Sequence, residues 1–163
     1  MKIIQKFLDE QQDKSNDEKQ VVKCIVRDED GSCLFLRRAV TTSQPITSFT
    51  GGWDLPGGHV HSGEELKDAT TREVKEETNC DITGCKKLKT IKVKIPDQGK
   101  PDTVHIFEAN KTPKSDLILN MTDYGNRQPE HSEFKWVKNQ DELEGMPMLN
   151  DLKKGVIEYL VKR

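Results

Sequence analysis

The feature that most constrains this chain is an acidic run at residues 72–77 (REVKEE), which follows a glycine-rich turn. If the run is helical, Glu73 lies three residues before Glu76 and four before Glu77, so the three carboxylates are neighbours on one side. Like charges at this spacing repel each other by about 0.2–0.5 kcal/mol per pair on an exposed helix. A shared cation would offset that repulsion, and an all-oxygen ligand set favours Mg²⁺ or Mn²⁺ over zinc.

The residues on either side of the run predict a helix that follows a tight turn. Ser62 and Glu65 have the spacing of a capping box, which predicts a helix that begins just after Ser62. Asn79 tolerates the left-handed conformation and predicts the end of the helix. The paired glycines Gly57 and Gly58 interrupt regular structure and let the backbone approach a ligand closely. The unit is therefore predicted to be a strand, a glycine turn and an acidic helix.

This unit resembles the signature of the Nudix hydrolases, in which a glycine and a glutamate precede the pattern Arg-Glu-aliphatic-x-Glu-Glu-x-Gly-aliphatic. Seven positions match in register: Gly58, Glu64, Arg72, Glu73, Val74, Glu76 and Glu77. Two differ, because Asn79 stands for the glycine and Cys80 for the final aliphatic residue. Asparagine also accepts a left-handed cap, and a buried cysteine behaves as a small hydrophobe. The alternative is a solvated acidic helix face on a small α/β domain.

The order of predicted elements indicates an α/β fold. The resemblance implies a Nudix-type α/β/α sandwich with a central mixed β-sheet, covering roughly residues 20–163. The length of 163 residues predicts a single domain, residues 1–163. Within it, residues 1–19 are expected to form a peripheral helix or linker, and residues 40–52 a long loop.

The resemblance also implies roles for the residues of the acidic helix and the turn. Glu73, Glu76 and Glu77 would hold divalent cations, with the Gly57 carbonyl completing the ligand set. Arg72 would hold the carboxylates in place or balance their charge.

Further site residues are expected outside the helix. Arg37 and Arg38 end a predicted strand and would bind the substrate phosphates together with the Gly58 backbone. Glu133, with Glu130 as second choice, would enter the metal site from a later strand. Either Glu76 or Glu133 would take the proton from the attacking water, and the sequence does not decide between them.

Composition limits the remaining possibilities. The chain has 26 basic and 28 acidic residues, so no global basic field predicts nucleic-acid binding. No apolar run is long enough to span a membrane and no signal peptide is recognisable, so we expect a cytoplasmic protein. The four cysteines form no CxxC pair, which argues against zinc and favours reduced thiols.

The expected activity is metal-dependent hydrolysis of the pyrophosphate bond of a nucleoside diphosphate linked to another group, by water attack at phosphorus. Nucleoside triphosphates, sugar nucleotides and ADP-ribose all stay open as substrates. The expected partner is thus a small-molecule nucleotide, bound by a monomer or a homodimer. Two alternatives are a non-catalytic nucleotide sensor on the same scaffold and an RNA 5′-end pyrophosphohydrolase, for which the lysines of residues 86–94 are the one hint.

Overall fold

The computed structural model describes residues 19–39, 51–95, 99–120 and 130–163. Most of the expected N-terminal helix or linker (residues 1–18) and of the long loop (residues 40–50) therefore lies outside the described residues. In chain order, the described elements are β1 (Gln20–Arg27), β2 (Cys33–Arg38), β3 (Trp53–Asp54), β4 (Gly57–His59), α1 (Leu66–Thr78), β5 (Ile82–Val93), β6 (Asp102–Lys111), β7 (His131–Val137), α2 (Gln140–Glu144) and α3 (Asn150–Lys162).

The strands form one mixed sheet that divides beyond its first hairpin. Its order is β3-β2-β1-β6-β5, with β4 also pairing with β1 and β7 with β2. The strands β1 and β6 are parallel, and the other pairs are antiparallel. The β1–β2 hairpin pairs Arg27 with Cys33, after which β1 pairs with β4 while β2 pairs with β3 and β7. One half of the sheet thus carries the glycine turn, and the other carries β7.

Apolar side chains cover both faces of the sheet. Successive residues of β1 point to opposite faces, so Ile25 and Val26 belong to different apolar layers. The Ile25 layer includes Leu152 of α3 and Leu143 of α2, and the Val26 layer includes Val74 of α1. Helices therefore lie on both sides, and the predicted α/β/α sandwich with a mixed sheet is confirmed.

A buried group of charges joins the two halves of the sheet. Lys23 of β1 places its Nζ 2.7 Å from Asp54 Oδ2 of β3, and Arg38 of β2 places Nη2 2.6 Å from the same oxygen. The Leu55 N–H donates to Asp54 Oδ1 at 2.8 Å. Burial by itself raises the pKa of Asp54, but the Lys23 and Arg38 charges outweigh it and hold the pKa below its usual value. Asp54 is therefore ionised and paired in the fold.

Replacing Asp54 should destabilise the protein strongly. Asp54→Asn removes the carboxylate that pairs with the buried Lys23, so we expect a loss of about 3 kcal/mol in the free energy of unfolding. Urea denaturation followed by circular dichroism measures this loss. The matched control is Glu158→Gln, which breaks the exposed 2.7 Å ion pair with Lys89 and should move the midpoint far less. Equal shifts for the two variants would contradict the structural role given to Asp54.

Candidate active site

The acidic helix begins later than its sequence predicts. It starts at Leu66, and the preceding Glu65 makes no side-chain capping hydrogen bond, so the predicted capping box is wrong. The chain turns instead at Gly63, whose φ of +75° is incompatible with a helix that begins at Ser62. The side chain of Glu64 accepts a hydrogen bond from the His61 N–H at 3.1 Å and closes this turn.

The end of the helix follows the prediction. Asn79 adopts φ 61° and ψ 3°, the left-handed conformation, and its N–H donates to the Lys75 carbonyl. Cys80 is buried in the apolar layer beneath α1, as expected for a residue in an aliphatic position. At the two departures from the family signature, the helix thus keeps a left-handed end and a buried apolar position.

The glycine turn holds its backbone directly against the carboxylates of α1. The Gly57 N–H donates to Glu77 Oε1 at 2.7 Å. A Cβ at Gly57 would lie 2.0 Å from the Val22 carbonyl oxygen, and one at Gly58 would lie 2.6 Å from Glu73 Cδ. Neither position has room for a side chain, so the two glycines are required for the turn to approach Glu73 and Glu77.

Arg72 connects the carboxylates on the exposed side of the turn. Its guanidinium donates to both oxygens of Glu64, at 2.8 and 2.9 Å. It also donates to Glu73 Oε1 at 2.8 Å, to Glu76 Oε2 at 3.3 Å and to the His59 carbonyl at 3.0 Å. A single arginine therefore fixes three of the glutamates, which is the geometry that a planar five-donor group provides.

The three glutamates of α1 differ in burial. The side chains of Glu73 and Glu77 are 12% and 8% exposed, whereas that of Glu76 is 35% exposed. Burial raises the pKa of Glu77 well above its usual value; the Lys23 charge opposes this rise, and the charges of Glu73 and Glu130 add to it. The carboxylate oxygens of α1 are thus crowded together, and the nearby positive charges do not fully balance their negative charge. Such a set of oxygen ligands fits a hard divalent cation.

Two residues at the start of β7 reach this group. Ligand atoms of Glu77, Glu130 and His131 lie within 4.8 Å of one another. His131 Nδ1 is 3.2 Å from Glu77 Oε2. Burial lowers the pKa of His131 to about 4, although the Glu130 charge raises it, so the imidazole is neutral at neutral pH.

The other expected site residues have partners outside the α1 group. Glu133 Oε1 lies 2.7 Å from Arg37 Nη1, and both side chains are about half exposed. Arg37 also donates from Nε to the Gly51 carbonyl and lies over the Trp53 ring. Arg38 is paired with Asp54, as described above. The expected roles of Arg37, Arg38 and Glu133 toward metal or substrate stay predictions, while the structure brings Glu130 to Glu77.

Sequence reasoning missed two residues of this region, Lys23 and His131. Lys23 had a visible signal, since it is the one charged residue in the strand interior at residues 21–26, VVKCIV. His131 had no such signal, because its burial depends on how β7 pairs with β2.

No helix among the described residues is both long and apolar enough to cross a membrane.

The contact between Gly58 and Glu73 can be tested by stability. Gly58→Ala places a methyl group on the Glu73 carboxylate, which cannot move away freely because Arg72 holds it. We expect the free energy of unfolding to fall by about 1–3 kcal/mol. The control is Gly99→Ala, where no atom of the described residues, its chain neighbours aside, lies within 4 Å of the added methyl group, and the expected change is within about 0.5 kcal/mol. Identical urea midpoints for the two variants would contradict this close contact.

Comparison with known proteins identifies the family. The NUDIX domain model matches residues 17–159. An 8-oxo-dGTP diphosphatase from Proteus vulgaris is 38% identical over 56 residues, which are 34% of this chain. The chain spans about half the length of that relative, since the match covers 50% of it.

Solved structures give the same fold. The MutT protein from Methanosarcina mazei Go1 has a TM-score of 0.63 at 25% identity, with 91% of this chain and 96% of that chain covered. The NUDIX domain of Shewanella oneidensis NrtR, solved with ADP ribose, has a TM-score of 0.67 at 19% identity, with 93% and 91% covered. The family model spans most of the sequence, including the acidic helix and its glycine turn, and the chain therefore belongs to the Nudix family.

Proposed function

We propose that this chain hydrolyses the pyrophosphate bond of a nucleoside diphosphate linked to another group, with Mg²⁺ as cofactor and Mn²⁺ as a substitute. The observation that carries the proposal is the packing of Glu73 and Glu77 against the Gly57–Gly58 turn, with Arg72 holding Glu73 and Glu76. The match to an 8-oxo-dGTP diphosphatase supports a nucleoside triphosphate as the first substrate to examine.

Carboxylates from two parts of the chain are the proposed cation ligands. Glu73, Glu76 and Glu77, with the Gly57 carbonyl, hold the cation, and Glu130, the residue before β7, adds a carboxylate in preference to Glu133. When bound, a divalent cation polarises the phosphoryl oxygens and makes water a better nucleophile.

Arg72 acts on the carboxylates and keeps them at fixed positions. Because it already contacts Glu64, Glu73, Glu76 and the His59 carbonyl, its guanidinium donors are committed to the protein. The phosphates would then be bound by other groups, and we propose the Gly58 backbone and the half-exposed Arg37.

Glu76 is the preferred group for accepting the proton of the attacking water. It is the most exposed of the three α1 glutamates, and its one described partner is Arg72 at 3.3 Å. Glu133, the alternative, already has its carboxylate within 2.7 Å of Arg37. A general base must be able to reach the water, which favours Glu76.

A panel of nucleotides tests the reaction. With Mg²⁺ we expect 8-oxo-dGTP and other nucleoside triphosphates to yield a monophosphate and pyrophosphate, and ADP-ribose and sugar nucleotides to report how broad the site is. Products are identified by chromatography. Addition of EDTA should abolish product formation, and excess Mg²⁺ or Mn²⁺ should restore it. Tight nucleotide binding with no product at any metal concentration would contradict the enzyme and favour the sensor.

Substitution of the helix glutamates tests the site. We expect Glu76→Gln and Glu77→Gln each to lower kcat by about 100-fold or more, because each removes a cation ligand and, for Glu76, the proton acceptor. Glu77→Gln should keep its melting temperature, since the amide oxygen can still accept from the Gly57 N–H and a costly buried charge is removed. The control is Glu65→Gln, an exposed glutamate just before α1. Wild-type kcat in either site variant would contradict the ligand assignment.

A further inference from the structure

The entry of His131 into the site depends on an irregularity in β7. Along the β2–β7 ladder Arg37 is opposite Glu133, but the next residue, Arg38, is opposite His131. One residue of β2 is therefore matched by two of β7, and Ser132 is the extra one, which is the count of a β-bulge. Bulges turn side chains and occur often beside active sites.

The bulge separates an exposed stretch from a buried residue. Residues 132–135 are all exposed, whereas His131 is only 7% exposed. Without the bulge, His131 and Glu133 would point to the same side of the strand. The irregularity thus turns His131 inward while leaving Glu133 outside with Arg37.

Because its side chain points inward, His131 lies against the Glu77 carboxylate, which the Gly57 N–H already contacts. Glu77 Oε1 accepts from the Gly57 N–H at 2.7 Å, and His131 Nδ1 lies 3.2 Å from Glu77 Oε2. Each oxygen of this buried carboxylate is therefore in contact with one protein nitrogen, from opposite halves of the sheet. A carboxylate oxygen has two lone pairs, so each oxygen keeps one for a cation.

The surroundings of His131 do not match those of a residue that only fills the core. Its ring lies beside two carboxylates, since ligand atoms of His131, Glu77 and Glu130 lie within 4.8 Å of one another. A histidine that merely filled space would be surrounded by apolar side chains instead.

We propose that His131 is a positioning residue, which orients Glu77 so that its free lone pairs face the divalent cation. The inference rests on the proposed function, because it assigns Glu77 as a cation ligand. Hydrogen-bonded partners of ligand carboxylates set metal affinity, and their loss costs about 10–100-fold.

Two amide variants separate this role from a purely structural one. Asparagine can place its Nδ2 near the position of the histidine Nδ1, whereas glutamine places its Nε2 near the more distant Nε2. His131→Asn therefore keeps a nitrogen beside Glu77, and His131→Gln carries the same amide group to the wrong place. The matched control is Ser132→Ala, at the exposed extra residue of the bulge.

The readout is the Kd for Mn²⁺ measured by electron paramagnetic resonance without nucleotide. We expect His131→Gln to raise this Kd by about tenfold, His131→Asn to change it by less than about threefold, and Ser132→Ala to leave it unchanged. Assays with the preferred nucleotide should show that saturating Mn²⁺ restores the kcat of His131→Gln, with an unchanged KM for the nucleotide. A residue that only supports the fold would not give a defect that metal corrects.

Four results would overturn the inference. A wild-type Kd in folded His131→Gln would show that Glu77 needs no such partner, and equal weakening in both amide variants would show that only the ring shape matters. If His131→Gln loses its thermal transition, His131→Asn decides, because a Kd raised more than tenfold there contradicts the donor role and a retained Kd supports it. Absence of Mn²⁺ binding by the wild-type protein would remove the proposed function, and this inference with it.

Discussion

The main energetic constraint on this structure is that several carboxylates lie together in a partly buried site. Their burial and mutual repulsion are unfavourable in free energy. Glu73 and Glu77 are almost fully covered by protein, and Glu76 lies on the same helix within a turn of both. Burying a charge is unfavourable unless it is paired, and nearby like charges add to that cost. Several groups around α1 offset this cost. Arg72 donates to Glu73, and the Gly57 N–H and His131 lie at the two oxygens of Glu77. The charge of Lys23 in β1 also favours the ionised form of Glu77.

The division of the sheet explains how these groups meet. The glycine turn reaches α1 from the half of the sheet that contains β1 and β4, and His131 reaches it from β7, which pairs with β2. The Lys23–Asp54–Arg38 group lies where the two halves separate and ties them together. A continuous sheet would fill this space with backbone hydrogen bonds and apolar side chains. The divergence of the two halves therefore provides the place where these charged groups meet.

Local patterns in the sequence predicted the parts that depend on local physics. The spacing of Glu73, Glu76 and Glu77 fixes their common side on any helix, and the left-handed cap at Asn79 follows from the small set of residues that accept that conformation. The helix start was mispredicted because Ser62 and Glu65 imitate a capping box, whereas the adjacent Gly63 requires a turn. That glycine was the better signal.

Residues contributed by β7 could not be predicted in the same way. Strand alternation assigns Glu133 and His131 to one side, and only the pairing of β7 with β2, which is a tertiary feature, reveals the extra residue between them. The same limit applies to Arg37 and Arg38, which look equivalent as neighbours in sequence. In the fold one lies at the surface on Glu133 and the other is bound to the buried Asp54.

At this site, the residue that would favour stability differs from the residue that the proposed activity requires. A neutral residue in place of Glu77 would cost less to bury, and the raised pKa of this carboxyl expresses that cost. The chain nevertheless keeps the carboxylate and places one nitrogen from each of two elements beside it, which is an arrangement that packing alone does not favour. The Gly57 N–H contacts one Glu77 oxygen and His131 Nδ1 lies beside the other, so each oxygen keeps a lone pair available. The proposed cation would account for this placement better than the fold's own stability does. In the proposed site, the same buried negative charge that weakens the isolated protein would attract a divalent cation.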